Sequence, residues 1–108
     1  MYIQLDTLAS KRLEEHLAEQ SGYLKLFYDT EGCGCNGVLV IQIVSEPNNT
    51  DIVIQREPFT FLCDRQQESL FDERMRLEAD EHYPSFKLSS DSSLFSNNVR
   101  IQDLRTAD

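Results

Sequence analysis

The run Tyr23-Leu24-Lys25-Leu26-Phe27-Tyr28-Asp29 leads through Thr30-Glu31-Gly32-Cys33-Gly34-Cys35-Asn36-Gly37 into Val38-Leu39-Val40-Ile41-Gln42-Ile43-Val44. In the first segment Leu24, Leu26 and Tyr28 recur at a period of two, with Lys25 and Asp29 on the other face, which is the pattern of a half-buried strand. The last segment is a nearly continuous branched-aliphatic run broken only by Gln42, the pattern of a central strand covered on both faces. Between them lies a loop that carries two of the three cysteines with glycines around and between them. A structural cysteine usually stands alone on an apolar face, so a pair set among Gly32, Gly34, Asn36 and Gly37 calls for a chemical explanation.

Upstream of this run the period is helical. Asp6 is a good N-cap type, and Ala9, Leu13 and Leu17 form an apolar stripe at a spacing of four while Lys11, Glu14 and Glu15 point elsewhere. The helix is expected to end by Ser21-Gly22. Downstream, Pro47-Asn48-Asn49 reads as a turn, and Asp51 to Arg56 and Phe59 to Cys63 as two strands of a hairpin or meander around Glu57-Pro58. Asp64 opens a short helical turn that carries Leu70 and Phe71, and Met75, Leu77 and Ala79 alternate with Arg76 and Glu78 as an amphipathic strand. Phe86 with Leu88 and Val99 with Ile101 mark two brief strands, with Ser89 to Ser93 and Asn97-Asn98 expected as loop between them. The expectation is one N-terminal helix on a mainly β body of six to eight short strands, with the cysteine loop joining two of the core strands.

The chain has 108 residues, enough for one domain with a modest core. Its 19 acidic and 10 basic residues give a net charge of −9, which argues against nucleic acid or an anionic membrane surface as partner and suits metal cations or basic and neutral partners. Apolar runs stay short of the ~20 residues a spanning helix needs, and Met1 to Asp6 carries neither a basic nor a long apolar leader segment. Three cysteines make an odd set, so reduced thiols in the cytoplasm are expected rather than a disulfide framework.

Cys33 and Cys35 are the candidate metal and cofactor ligands. Thiolates prefer soft or borderline ions such as zinc, copper(I) or iron in clusters, and these take about four donors. Gly34 removes a Cβ from between the two thiols, so the backbone can curl until the sulfurs converge. Two donors are half a shell; Cys63, an acidic or imidazole group, a small thiol or a second subunit would complete it. A redox disulfide between Cys33 and Cys35 is disfavoured, because one intervening residue closes a strained and easily reduced ring. Cys63 shares a strand with Phe59 and Phe61 and reads as a core residue. Phe71 and Phe86 read as core, His16 as a residue at the edge of the helical stripe, and Asp80-Glu81-His82 as a solvated acidic tip. No nucleophile elbow, phosphate-cradling loop or paired catalytic carboxylates are present, so no enzyme is expected.

These pieces resemble, in order, the HesB-like or A-type domain of iron–sulfur cluster biogenesis. Leu5-Asp6-Thr7-Leu8-Ala9 corresponds to its helix start, Gly34-Cys35-Asn36-Gly37 to its G-C-S-G loop, and Val38 to Pro47 to its long apolar strand and turn. Asp51-Ile52-Val53, Phe61-Leu62-Cys63-Asp64 and Ser85-Phe86-Lys87-Leu88 follow as its later strands, so the resemblance covers roughly residues 3 to 88. It implies a small β-sandwich or pseudo-barrel of short strands with one N-terminal helix, iron or an iron–sulfur cluster as cofactor with zinc as the alternative, and other assembly proteins, or a second copy in a homodimer, as partners. The departure lies at the C-terminal end: cluster carriers of this family use the loop cysteine, here Cys35, with a later Cys-Gly-Cys pair, and no cysteine follows Cys63. The ordered signal at Val99-Arg100-Ile101 stands in that region instead. Two readings remain: an accessory protein binding iron or a cluster through Cys33 and Cys35, or an interaction domain in which Cys35 is a relic, Cys33 is incidental and the metal chemistry is lost.

Overall fold

The computed structural model describes residues 1–18, 20–29 and 37–105. They form β1 (Tyr2–Leu5), α1 (Thr7–Leu17), β2 (Tyr23–Asp29), β3 (Val38–Val44), β4 (Asp51–Gln55), β5 (Phe61–Asp64), a 3-10 helix (Arg65–Leu70), β6 (Arg74–Ala79), β7 (Phe86–Ser89) and β8 (Leu94–Asp103). The strands make one mixed sheet in the order β1-β6-β7-β8-β3-β2-β5-β4, coiled into a nearly closed barrel. Its two edge strands meet through a side chain: Gln55 Oε1 accepts the Ile3 amide at 2.7 Å, and Gln55 Nε2 donates to the Ile3 carbonyl at 3.0 Å. One amide side chain thus supplies the donor and acceptor that a neighbouring strand would offer, and it blunts both edges.

The helix begins where its N-cap dictates, with the Asp6 carboxylate accepting from the Ala9 amide at 2.7 Å. Ala9 and Leu13 are fully buried against the barrel, and Leu17 packs at the margin. The core is filled by alternate residues of the strands: Leu24 and Leu26 of β2, Leu39, Ile41 and Ile43 of β3, Phe61 and Cys63 of β5, Met75 and Leu77 of β6, and Phe86 and Leu88 of β7. Among the described residues no helix is long and apolar enough to cross a membrane.

Three local expectations are revised. The strand expected from Phe59 begins at Phe61. Asn97 and Asn98 belong to β8 and not to a loop; the β7–β8 register shifts on either side of Leu88, and this irregular pairing accommodates exposed polar residues within a strand. The third concerns Lys25, which the alternation places on the solvent side of β2. Its side chain is only 6% exposed, with Nζ 2.9 Å from Oδ1 of Asp51, itself 1% exposed, and 4.9 Å from the centre of the Phe27 ring. Leu62 and Val40, outside the core cluster, are buried as well, so this part of the outer face is covered.

The Asp51 carboxylate joins two elements, because Oδ2 accepts the Asn48 amide at 2.8 Å while Oδ1 has Lys25 alone. Breaking a buried ion pair from one side leaves the other charge uncompensated. Lys25→Met is therefore expected to lower unfolding free energy by about 3–5 kcal/mol in urea titrations. The double variant Lys25→Met, Asp51→Asn, which keeps an acceptor for Asn48 and removes both charges, should recover most of that loss. A Lys25→Met protein as stable as the parent would show that the pair does not hold this face.

Candidate functional site

The loop that carries Cys33 and Cys35 is the connection of the β2–β3 hairpin. The two strands pair antiparallel from Tyr23 opposite Val44 to Asp29 opposite Val38, so the chain leaves the sheet at Asp29 and re-enters it at Val38. Gly37 has φ of 105°, a left-handed backbone that an L side chain adopts only with strain, which accounts for glycine immediately before β3. Cys33 and Cys35 lie outside the described residues. The strands on either side of the loop are described, up to Asp29 and from Gly37.

The outer edge of β2 changes partner at the stem. β5 runs parallel to β2 as far as Cys63 opposite Leu26, after which it turns away into the 3-10 helix, capped by the Asp64 carboxylate on the Gln66 amide at 2.8 Å. Gln67 of that turn then reaches back: its Oε1 accepts the Tyr28 amide at 2.9 Å and its Nε2 donates to the Tyr28 carbonyl at 3.0 Å. The Tyr28 ring stacks on Phe71 at 5.5 Å between centroids, and Phe71 meets Phe95 of β8 at 6.1 Å. Burial pushes the Tyr28 hydroxyl above its ordinary pKa, so at neutral pH it stays protonated within this aromatic row. The final residues of the hairpin stem are thus tied to the turn after β5 and, through Phe71, to the start of β8.

The remaining candidate ligands fall elsewhere. Cys63 is fully buried between Leu26 and Ile52 in the sheet, and burial, with a smaller contribution from Glu68, pushes its thiol from an ordinary value of 9.0 up to about 11. It is a core residue, as its strand pattern indicates, and not a thiolate at neutral pH. His16 and His82 are both exposed and line a shallow cleft with Arg12, Glu15 and Tyr83, where Arg12 Nη1 donates to the Tyr83 carbonyl at 2.7 Å. Asp80 accepts the amides of His82 and Tyr83, so its carboxylate is occupied in capping its own turn. Among the described residues no three His, Cys, Asp or Glu side chains gather in a way that could hold a metal ion.

The C-terminal strand runs away from the loop. β8 is parallel to β3, with Val40 opposite Arg100 and Ile43 opposite Asp103, so its last residues lie at the far end of β3, about 20 Å of strand from Val38. There Leu104 donates its amide to the Ile43 carbonyl, and the Arg105 guanidinium binds the carbonyls of His16, Leu17 and Gln20 together with the Asp103 carboxylate. The same guanidinium holds the Asp103 carboxyl below its usual range. Gln67 and the Tyr28–Phe71–Phe95 row carry no motif in the sequence. Their only signal is the apolar Phe71 in a polar turn.

The chain matches the family model for iron–sulphur cluster biosynthesis over residues 1–103, and it belongs to that HesB-like family. Its structure is similar to that of a Lactobacillus salivarius protein named for Fe–S biosynthesis, with a TM-score of 0.82 at 23% identity over 98% of this chain and 100% of the other. A Lactobacillus acidophilus protein of the same description gives 0.75 at 16% identity, covering 95% and 90% of the two chains. Escherichia coli SufA, involved in the biosynthesis of iron–sulfur clusters, gives 0.60 at 18% identity, covering 84% and 87%. At these identities the likeness is one of fold. No curated protein matches the sequence.

In the folded protein an alkylating reagent should modify Cys33 and Cys35 and spare Cys63 until denaturant is added, as mapped by mass spectrometry of the labelled peptides. Equal rates at all three thiols would contradict the division into a loop pair and a core residue. The Cys63 thiol also makes a signed pH prediction. Its folded pKa of about 11 exceeds the ordinary 9.0, so the stability it contributes is complete below pH 9 and declines as pH rises toward 11. Cys63→Ala should be less stable at neutral pH and show a shallower alkaline decline.

Proposed function

We propose that this chain is an accessory protein of iron–sulfur cluster biogenesis or iron handling, which binds iron or a cluster transiently through Cys33 and Cys35. The observation that carries the reading is the pair of thiols placed, in a chain of this family, within the connection of a hairpin whose stem is held on both edges. Two soft donors separated only by Gly34 suit iron in clusters, with zinc as the alternative, and a chain of net charge −9 favours cations over nucleic acid. The protein acts by binding, without a catalytic step of its own, in the reducing cytoplasm where both thiols stay available.

Two thiolates leave about half of a four-donor shell to be filled. Cys63 is too deeply buried to contribute, and β8 carries the chain away from the loop. The missing donors then come from an acidic or imidazole group, from a second copy of this chain, from a small thiol, or from another protein of iron–sulfur assembly to which the cargo passes. The second reading, a binding domain that has lost the metal chemistry, is favoured by one feature, the absence of any cysteine after Cys63.

Anaerobic reconstitution with iron and sulfide, followed by visible spectroscopy and iron and sulfide counts, separates the two. The expected result is thiolate-to-iron absorbance that rises with protein concentration or added small thiol, as a shared shell requires. Cys35→Ser should abolish it and leave the far-ultraviolet circular dichroism unchanged, because a serine hydroxyl is nearly isosteric but a poor donor to soft metals. Parent protein that takes up neither iron, cluster nor zinc under these conditions would leave the domain without metal chemistry as the better account.

A further inference from the structure

On the outer side of β6 and β7 this acidic chain gathers cations. Arg74 and Arg76 alternate with the core residues Met75 and Leu77, and Lys87 stands between Phe86 and Leu88, so all three point away from the barrel. Apolar side chains border them. Tyr2 of β1 lies opposite Arg74, Leu94 of β8 lies opposite Ser89, and both are more than half exposed. Gln4, Arg76, Ser89 and Leu94 form one cross-strand row, which from β1 to β8 crosses three strand spacings, about 14 Å. Two surface hollows follow this row, one reaching from Tyr2 to Arg76 and the other from Arg76 to Leu94, and Arg76 and Asp91 line both.

The carboxylates nearby leave these cations largely available. Among the described residues neither Arg74 nor Lys87 has an ion-pair partner, although Glu78 stands opposite Lys87. The Asp72 carboxylate is taken up by the hydroxyls of Ser90 and Ser92, at 2.5 and 3.2 Å. Arg76 is paired, with Nη1 2.8 Å from Oδ1 of Asp91, but the two side chains are 44% and 97% exposed. An ion pair so open to water contributes little and gives way readily to another carboxylate. Asp91 reaches Arg76 from a turn closed by the Ser90 amide on the Ser93 carbonyl at 2.8 Å. A carboxylate of the chain itself thus occupies the place that an external one would take.

We propose that this face binds an extended acidic segment of a partner protein, with carboxylates on Arg74, Arg76 and Lys87 and apolar side chains against Tyr2 and Leu94. Charge complementarity selects the sign of the occupant, and the length of the row selects its form: about 14 Å matches four or five extended residues and exceeds a small anion. Arginine and tyrosine are also the side chains that most often carry binding energy at protein interfaces. Asp91 acts as an internal competitor that leaves Arg76 when the segment binds. The face includes neither β2 nor β3, so the proposal is independent of the reading of Cys33 and Cys35.

The test is an amide chemical-shift titration of the isotope-labelled protein with a short capped peptide of alternating leucine and glutamate, with thermal unfolding to confirm that each variant is folded. Shifts are expected on β1, β6, β7 and the start of β8, with affinity that falls as salt rises. The glutamine analogue of the peptide should not bind. Arg76→Gln should weaken binding about tenfold, and the double variant Arg74→Gln, Lys87→Gln should weaken it as well. Asp91→Asn should tighten it by up to about fivefold. Glu46→Gln makes the same change in net charge at an exposed position between β3 and β4 and should leave affinity unchanged. Failure of the peptide to bind, shifts on other strands, equal binding of the glutamine peptide, parental affinity in folded Arg76→Gln, or equal effects of Asp91→Asn and Glu46→Gln would each overturn the proposal. Binding to phosphatidylglycerol vesicles, or self-association, that Arg76→Gln abolishes while the peptide does not bind would overturn it in favour of that occupant.

Discussion

The antiparallel ladder between β2 and β3 is the constraint on which the rest of the molecule depends. Its register, from Tyr23 opposite Val44 to Asp29 opposite Val38, places Leu24, Leu26, Leu39, Ile41 and Ile43 on the core side, and a slip of one residue would turn all of them outward. Both strands are central and recruit parallel partners: β3 takes β8 and β2 takes β5. Because parallel partners must arrive by long connections, the segments between them supply β4, β6 and β7, and β1, which precedes the hairpin in the chain, completes the sheet beside β6. The same ladder sets where the chain leaves the sheet, at Asp29, and where it re-enters, at Val38.

Where backbone pairing runs out, side-chain amides take over. A glutamine side chain ends in an NH2 donor group and a carbonyl acceptor in nearly the spacing of a peptide group, so it can cap an orphaned residue on a strand edge. Gln55 does this at the seam between the two edge strands, and Gln67 does it where β5 departs from β2. Both positions are half-buried, where an unpaired amide or carbonyl is costly and water is a poor substitute. The barrel is therefore nearly closed without a continuous ladder, and each gap is filled by one residue with two good hydrogen bonds.

Much of the fold was legible because its signals are local. The N-cap at Asp6, the spacing of Ala9 and Leu13, and the change to a period of two after Gly22 each follow from short-range geometry and appear as expected. The burial of Lys25 was not legible, because its partner Asp51 comes from another strand and only the pairing of β2 with β5 and of β5 with β4 brings the two charges together. The start of β5 and the course of β8 through Asn97-Asn98 were missed for a related reason: pairing with neighbours overrides the turn preference of asparagine. At the site, the sequence points to Cys33 and Cys35 by composition and to Cys63 as core by its aromatic neighbours. It gives no sign of the Gln67 hydrogen bonds to Tyr28, which exist only once β5 lies beside β2.

The geometry of the barrel also bears on the departure from the carriers' cysteine pattern. The carriers' later cysteines fall, in sequence order, in the region that β8 occupies here, and no cysteine of this sequence follows Cys63. There β8 runs parallel to β3 toward the end opposite Val38, where Arg105 binds the carbonyls of His16, Leu17 and Gln20 and, by hydrogen bonding, holds the Asp103 carboxyl below its usual range. The positive guanidinium sits at the negative end of the helix dipole, so this anchor is favourable in charge as well as in hydrogen bonding. Arg105 thus stands at the end of β3 opposite to the one where β3 begins, at Val38.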